Sequence, residues 1–213
     1  MTPTILSLSD PQADLETAGG KGMSLAKLSR AGMPVPDGFH ITTQAYRQFV
    51  DANHLQSGIQ EALQGVELAK PSTLETASEA IRRSFAQAQI PGDLANAIVN
   101  AYAALPGINP PVAVRSSATA EDLPGASFAG QQETYLNVIG AGQVLEATKK
   151  CWASLWTGRA IGYRARQGIG AEGVALAVVV QLLVDAEAAG ILFTANPLNG
   201  NRDEVVINAA WGS

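Results

Sequence analysis

The chain changes its repeat across one short proline-rich stretch. Up to Pro106-Gly107 apolar residues recur every three or four positions; beyond Pro110-Pro111 they gather into short, valine-rich runs. Proline cannot continue a helix and pushes the residue before it toward extended backbone, so a helical region must end here and a strand-bearing one begin. The expected division is 1–111, mostly helical, and 112–213, rich in strands.

Within the first region Gly19-Gly20-Lys21-Gly22 opens a helix read from Met23 to Ala31, with Leu25 and Leu28 on one face and Gly32 and Pro34 closing it. Thr43 is expected to cap a helix carrying Tyr46, Phe49 and Val50 at helical spacing. Ser72 and Glu75 form a capping-box pattern ahead of Leu74, Ala77, Ile81 and Phe85. Pro91 reads as the first position of a further helix whose inner stripe is Leu94, Ile98, Ala101 and Leu105. These stripes are core. In the second region strands are expected at 112–115, 133–138, 173–184, 188–194 and 203–210. One or two helices fall at 142–168, bearing Leu145, Thr148, Trp152 and Leu155. The fold class is α+β, with a helical N-terminal half and a largely antiparallel sheet.

Composition excludes several functions. At 213 residues with 46% hydrophobic and 15% charged content, the chain can bury one sizeable core or two small ones. A net charge of −5 without a clustered basic face argues against a nucleic-acid surface. The single cysteine, Cys151, rules out an internal disulfide framework, speaks against a cysteine-based metal site and fits a reducing cytoplasm. Its neighbours Lys149, Lys150 and Trp152 place it on a helix, as a buried and inert thiol. No secretory pattern opens the sequence, and no apolar run reaches the roughly 18 residues of a bilayer span, so a cytoplasmic protein with no membrane association is expected. The longest apolar run, Val174 to Val184, is interrupted by Gln181 and suits a buried strand.

The chemistry concentrates in residues 112–138, where Arg115 and a hydroxyl-rich, glycine-bearing loop lie between two strand-like runs. Arg115 supplies forked, permanently charged donors. Ser116, Ser117, Thr119 and Ser127 supply hydroxyls, and Gly125 and Gly130 allow backbone N–H groups to approach an anion. Such a loop can also be an ordinary surface connection, but this one is pinned at both ends by strands. Lys21, beside a helix N-terminus, makes a second anion site, although Gly-Gly-Lys-Gly alone also reads as a helix-start turn. A Walker A loop is excluded, because Leu15 and Gly22 stand where it needs a glycine and a Ser or Thr.

Several motifs then occur in order: Gly19 to Gly22 with Leu25 and Leu28; Gly32 to Phe39 and Thr42-Thr43; Val114 to Asp122; Ala126 to Thr134; Gly190 to Pro197; and Ile207 to Gly212. Together, from about residue 17 to the last, they closely resemble the ATP-binding domain shared by phosphoenolpyruvate synthase, pyruvate phosphate dikinase and rifampin phosphotransferase. The resemblance implies an ATP-grasp fold that holds nucleotide between two subdomains. It implies Lys21 and Arg115 as phosphate-contacting residues with a catalytic part. It implies the 125–132 loop, with Ser127, Gly130 and Gln131, as a phosphate lid, and Gln181, Leu182, Leu183 and Val184 as the adenine edge. Gln181 can instead satisfy neighbouring backbone in a buried strand.

The resemblance further implies ATP with Mg²⁺, and phosphoryl transfer to a histidine on a separate carrier domain and onward to pyruvate. An antibiotic hydroxyl is the acceptor in the phosphotransferase alternative, and a non-catalytic nucleotide-binding module is a third possibility. Neither His40, in the strand-like Phe39 to Thr42, nor His54, at a helix end, sits in the family's phosphohistidine motif. The family continues past the pair matched by Trp211-Gly212 with its acidic metal ligands, so the domain is expected to be incomplete here. Metal ligands, carrier domain and pyruvate-binding domain are all expected outside this chain.

Overall fold

The computed structural model describes residues 2–119 and 133–212. In chain order the elements are β1 (Ile5–Ser7), α1 (Leu15–Arg30), β2 (Gly38–Ile41), α2 (Thr43–Ala52), α3 (Leu55–Gln64), α4 (Pro71–Gln87) and α5 (Gly92–Ala103). There follow β3 (Val112–Ala118), β4 (Thr134–Val138), α6 (Ala141–Ser154), α7 (Gly158–Arg166), β5 (Leu176–Leu182), β6 (Ala188–Phe193) and β7 (Val206–Trp211). The chain packs as two compact units, Met1–Leu183 and Val184–Ser213. The second contains the antiparallel hairpin β6–β7, which pairs Ala188 with Trp211 and Phe193 with Val206.

The first unit is built on a five-stranded sheet in the order β1-β2-β5-β3-β4, with every neighbouring pair antiparallel. The α+β class with an antiparallel sheet is therefore what the sequence forms. Strand β5 lies at the centre, hydrogen-bonded to β2 and β3, which explains why its valines are buried on both faces. One face carries Phe39, Ile41, Val112, Val114, Val178 and Val180 into the main core. There the helical stripes supply Phe49, Ile81, Phe85, Leu94, Ile98 and Trp152, each almost fully buried. Phe49 stands 4.9 Å from Trp152 and 5.6 Å from Phe85 between ring centroids, and the Trp156 indole N–H donates to Tyr46 Oη at 3.0 Å. Burying each such side chain contributes about 1.5–3 kcal/mol.

The opposite face is covered by α1, which approaches through small residues: Ala18, Gly19, Gly20, Gly22 and Ala26 are buried. Its start is set by a reciprocal cap, in which the Asp14 carboxylate accepts from the Thr17 N–H at 2.8 Å and Thr17 Oγ1 accepts from the Asp14 N–H at 3.0 Å. The Thr17 N–H holds the Asp14 carboxyl below its ordinary pKa.

Several local readings are corrected. The helix read from Met23 begins at Leu15 and is interrupted at Gly19. Helix α2 is preceded by Thr42 at the N-cap with no side-chain cap, and Thr43, its first residue, donates its hydroxyl to Glu16 O at 2.8 Å. The Ser72/Glu75 capping box does not form, because Pro71 occupies the first turn and Lys70 the cap. Pro91 is the N-cap rather than the first helical residue. Helix α3 and strand β1 were not expected, β3 runs three residues past Arg115 to Ala118, and 142–168 resolves into α6 and α7.

Candidate functional site

The site grows from a break in α1. Gly19 adopts φ 70°, ψ 177°, a conformation open in practice only to glycine, and the helix resumes behind it at Gly20 and Lys21. A side chain at Gly19 is also excluded by space, since a Cβ there would overlap the Ser117 carbonyl oxygen and lie 2.5 Å from Ser117 Oγ. The glycine run is thus where α1 touches the backbone of β3.

Strand alternation decides what β3 presents. Val112 and Val114 enter the main core, whereas Arg115 lies between Thr134 and Val179 in register and turns to the α1 side. There Lys21 Nζ donates to the Ser116 carbonyl at 3.3 Å. Lys21 and Arg115 line one cleft of about 420 Å³ together with Gly20, Ser24, Leu25, Leu28 and Val179. Arg115 Nε is buried with no hydrogen-bond partner among the described residues. A buried guanidinium N–H lacking an acceptor is costly, so its geometry suits an anion that supplies one. A cationic pair at a resumed helix start, with apolar Leu25, Leu28 and Val179 alongside, can hold a phosphorylated ligand that also carries an apolar surface.

The remaining expected site residues divide. Ser116 and Ser117 do not offer their hydroxyls to a ligand: Ser116 Oγ donates to Glu133 O at 3.2 Å and Ser117 Oγ to Ala18 O at 2.7 Å. Both are buried and serve to hold backbone. Ser127, Gly130 and Gln131, with Gly125, lie outside the described residues. Gln181 is 6% exposed at the sheet centre, opposite Gly38 and Ala113, and its amide donates to Pro36 O at 3.1 Å. The backbone N–H groups of Leu182 and Leu183 are bonded to Asp37 O at 2.8 Å and Pro111 O at 2.9 Å. Gln181 to Leu183 are not among the residues lining the Lys21–Arg115 cleft, and Val184 opens the second unit.

His40 is fully buried in β2, with Nε2 3.3 Å from Leu8 O, and burial lowers its pKa. His54 is an exposed residue at φ 51° between α2 and α3. Cys151 is buried against Val114, and burial raises its thiol pKa. Among the described residues no group of three or more His, Cys, Asp or Glu is placed to hold a metal ion. No helix among them is long and apolar enough to cross a membrane. The sequence reading missed Ser24, Val179 and the role of Ser117; the small-residue run Ala18-Gly19-Gly20 was the available signal that α1 must pack tightly on a strand.

The fold is an α+β domain in which a glycine-broken helix and an antiparallel strand bring two cations, Lys21 and Arg115, into one cleft. Residues 15–213 match the pyruvate phosphate dikinase AMP/ATP-binding domain, and the chain belongs to that family. It is 51% identical over 203 residues to a probable phosphoenolpyruvate synthase of Methanocaldococcus jannaschii, covering 93% of this chain and 17% of that protein. It is 46% identical to a phosphoenolpyruvate synthase of Aeropyrum pernix over 98% of this chain and 26% of that protein. It is also 47% identical to a rifampicin phosphotransferase of Streptomyces sviceus, over 94% of this chain and 23% of that protein. The chain thus corresponds to the ATP-binding domain of phosphoenolpyruvate synthase-like proteins and spans about a quarter or less of the length of these three relatives.

Proposed function

We propose that the chain is the nucleotide-holding part of a dikinase of the phosphoenolpyruvate synthase kind, with the ATP triphosphate lying between Lys21 and Arg115. The observation that carries this reading is the shared cleft of about 420 Å³, in which Arg115 Nε has no acceptor among the described residues. Phosphoryl transfer depends chiefly on positioning and on neutralising charge, and two fixed cations on rigid elements supply both. The 125–132 loop, with Ser127, Gly130 and Gln131, would cover the phosphates. The exit of β5, from Gln181 to Val184, would meet the adenine, with Gln181 acting through its hold on Pro36 rather than by direct contact.

In this reading the β-phosphoryl group of ATP passes to a histidine of a separate carrier domain and then to pyruvate; the α–β bond breaks to release AMP, and water takes the γ-phosphoryl group to release phosphate. Mg²⁺ would accompany ATP as its counterion. The domain acts in the cytoplasm, where ATP and pyruvate are available. A second reading, an antibiotic phosphotransferase, is favoured by the 47% identity to the rifampicin enzyme, as close as that to the Aeropyrum synthase; acceptor choice would reside in other domains.

The test is calorimetric titration with ATP. Lys21→Ala and Arg115→Ala should each lose about 1–3 kcal/mol, or roughly 5- to 150-fold in affinity, as charge-assisted contacts do. Parent-like binding by either variant would remove that residue from the triphosphate site.

A further inference from the structure

Three consecutive residues of β3 act on α1 in three ways. Arg115 enters the cleft, the Ser116 carbonyl accepts from Lys21 Nζ at 3.3 Å, and the Ser117 side chain bridges the helix break. That bridge has two arms. Ser117 Oγ donates to Ala18 O at 2.7 Å, on one side of Gly19, and accepts from the Gly22 N–H at 3.1 Å, on the other. Both groups are ones that the break at Gly19 deprives of a regular helical partner. The hydroxyl is fully buried, and Gly19 packs against it so closely that not even a methyl group fits between them.

We infer that Ser117 is a positioning residue, whose hydroxyl locks the α1 break and thereby fixes the Lys21 ammonium against β3 at the distance from Arg115 that the cleft requires. Lys21 lies inside the clamped segment, between Gly19 and Gly22, so its Cα is held from both sides by one hydroxyl. Without the bridge the Ala18 carbonyl and Gly22 amide lose their partner in a water-poor contact, and the turn must open to rehydrate them. Lys21 then keeps its charge but loses its fixed place, and a flexible four-carbon ammonium is a weaker ligand for phosphate when it is not pre-organised. The inference concerns this chain's own serine and rests on the triphosphate reading only for its effect on ATP.

The experiment has two arms, made on the 213-residue chain with Ser117→Ala, Lys21→Ala and the double variant. Ser117→Ala removes one atom and adds none, so the core should survive; if it does not melt cooperatively, Ser117→Gly, which also removes the hydroxyl and adds no bulk at the Gly19 contact, takes its place. The first arm needs no nucleotide. The Gly22 amide should exchange with solvent at least tenfold faster, and the Lys21 13Cε–1Hε resonances should move toward those of a solvated lysine. Unchanged Lys21 resonances would overturn the inference. The second arm titrates ATP. Ser117→Ala should weaken binding about tenfold in the parent and less than twofold when Lys21 is already alanine. An equal loss in both backgrounds would show that Ser117 does not act through Lys21. If Lys21→Ala itself binds ATP as the parent does, the triphosphate reading fails, while the resonance arm still decides the role of Ser117.

Discussion

Replacing Gly19 with alanine tests the reasoning at its tightest point. At φ 70° and ψ 177° an L-residue sits in a region costing about 1–3 kcal/mol. The new Cβ would also stand 2.5 Å from Ser117 Oγ and 2.6 Å from the Ser117 carbonyl carbon, so α1 or β3 must shift, which adds about 1–3 kcal/mol of overpacking strain. Against this, alanine restricts the unfolded chain and restores about 0.4–1 kcal/mol. The net loss is on the order of 3 kcal/mol, or roughly 6–12 °C in melting temperature for a domain of this size. Gly32→Ala is the control, because Gly32 has a similar φ of 75° but nothing within 4 Å of its would-be Cβ. Circular-dichroism melts of both variants compare a positive-φ glycine that packs against β3 with one that faces open space. A Gly19→Ala melting point within about 2 °C of the parent, or no lower than that of Gly32→Ala, would refute the claim that α1 and β3 touch at this glycine.

Two further outcomes follow from buried groups. Cys151, with its thiol pKa raised by burial, should resist a thiol reagent in the native protein at pH 8 and react only as fast as the protein unfolds; prompt native labelling would contradict its placement against Val114. His40 has its pKa lowered by burial, so the unfolded chain binds a proton there that the folded chain refuses. Its contribution to stability is complete above the unfolded value near 6.5 and falls as pH drops below it. Denaturant midpoints should decline from pH 7 to pH 5, with a shallower decline in His40→Gln; equal slopes would place the pH dependence elsewhere.

The legible part of this fold was the part written in periodicity. The stripes on α4 and α5 and the valines of β5 follow from burial alone, and Phe49, Phe85, Ile98 and Val178 are all core residues. Boundaries were less legible, because they turn on contacts between distant segments. Pro71 overrides a capping pattern at Ser72 that looks sound in one dimension. Lys21 and Arg115 could be named as cations near glycines. Nothing local could show that Ser117, two residues beyond Arg115, would use its hydroxyl on the break at Gly19. A serine in a glycine-rich, hydroxyl-rich segment reads as a ligand group until a second element is packed over it.

The same alternation ties the site to the fold. On β3, Val114 faces the aromatic core while Arg115 and Ser117 meet α1, and β5 enforces this by pairing Val114 with Val180 and Arg115 with Val179. A slip of one residue between β3 and β5 would drive Arg115 into the main core and expose Val114 to the cleft. Burying an unpaired guanidinium there would cost several kcal/mol, so the register that assembles the core is also the one that delivers the cation. The residues that contact phosphate in this reading are therefore protected against drift by residues that never approach it. Substitutions at Val178 or Val180 that loosen the β3–β5 register should weaken ATP binding together with stability, whereas substitutions at Lys21 should affect binding with little change in stability.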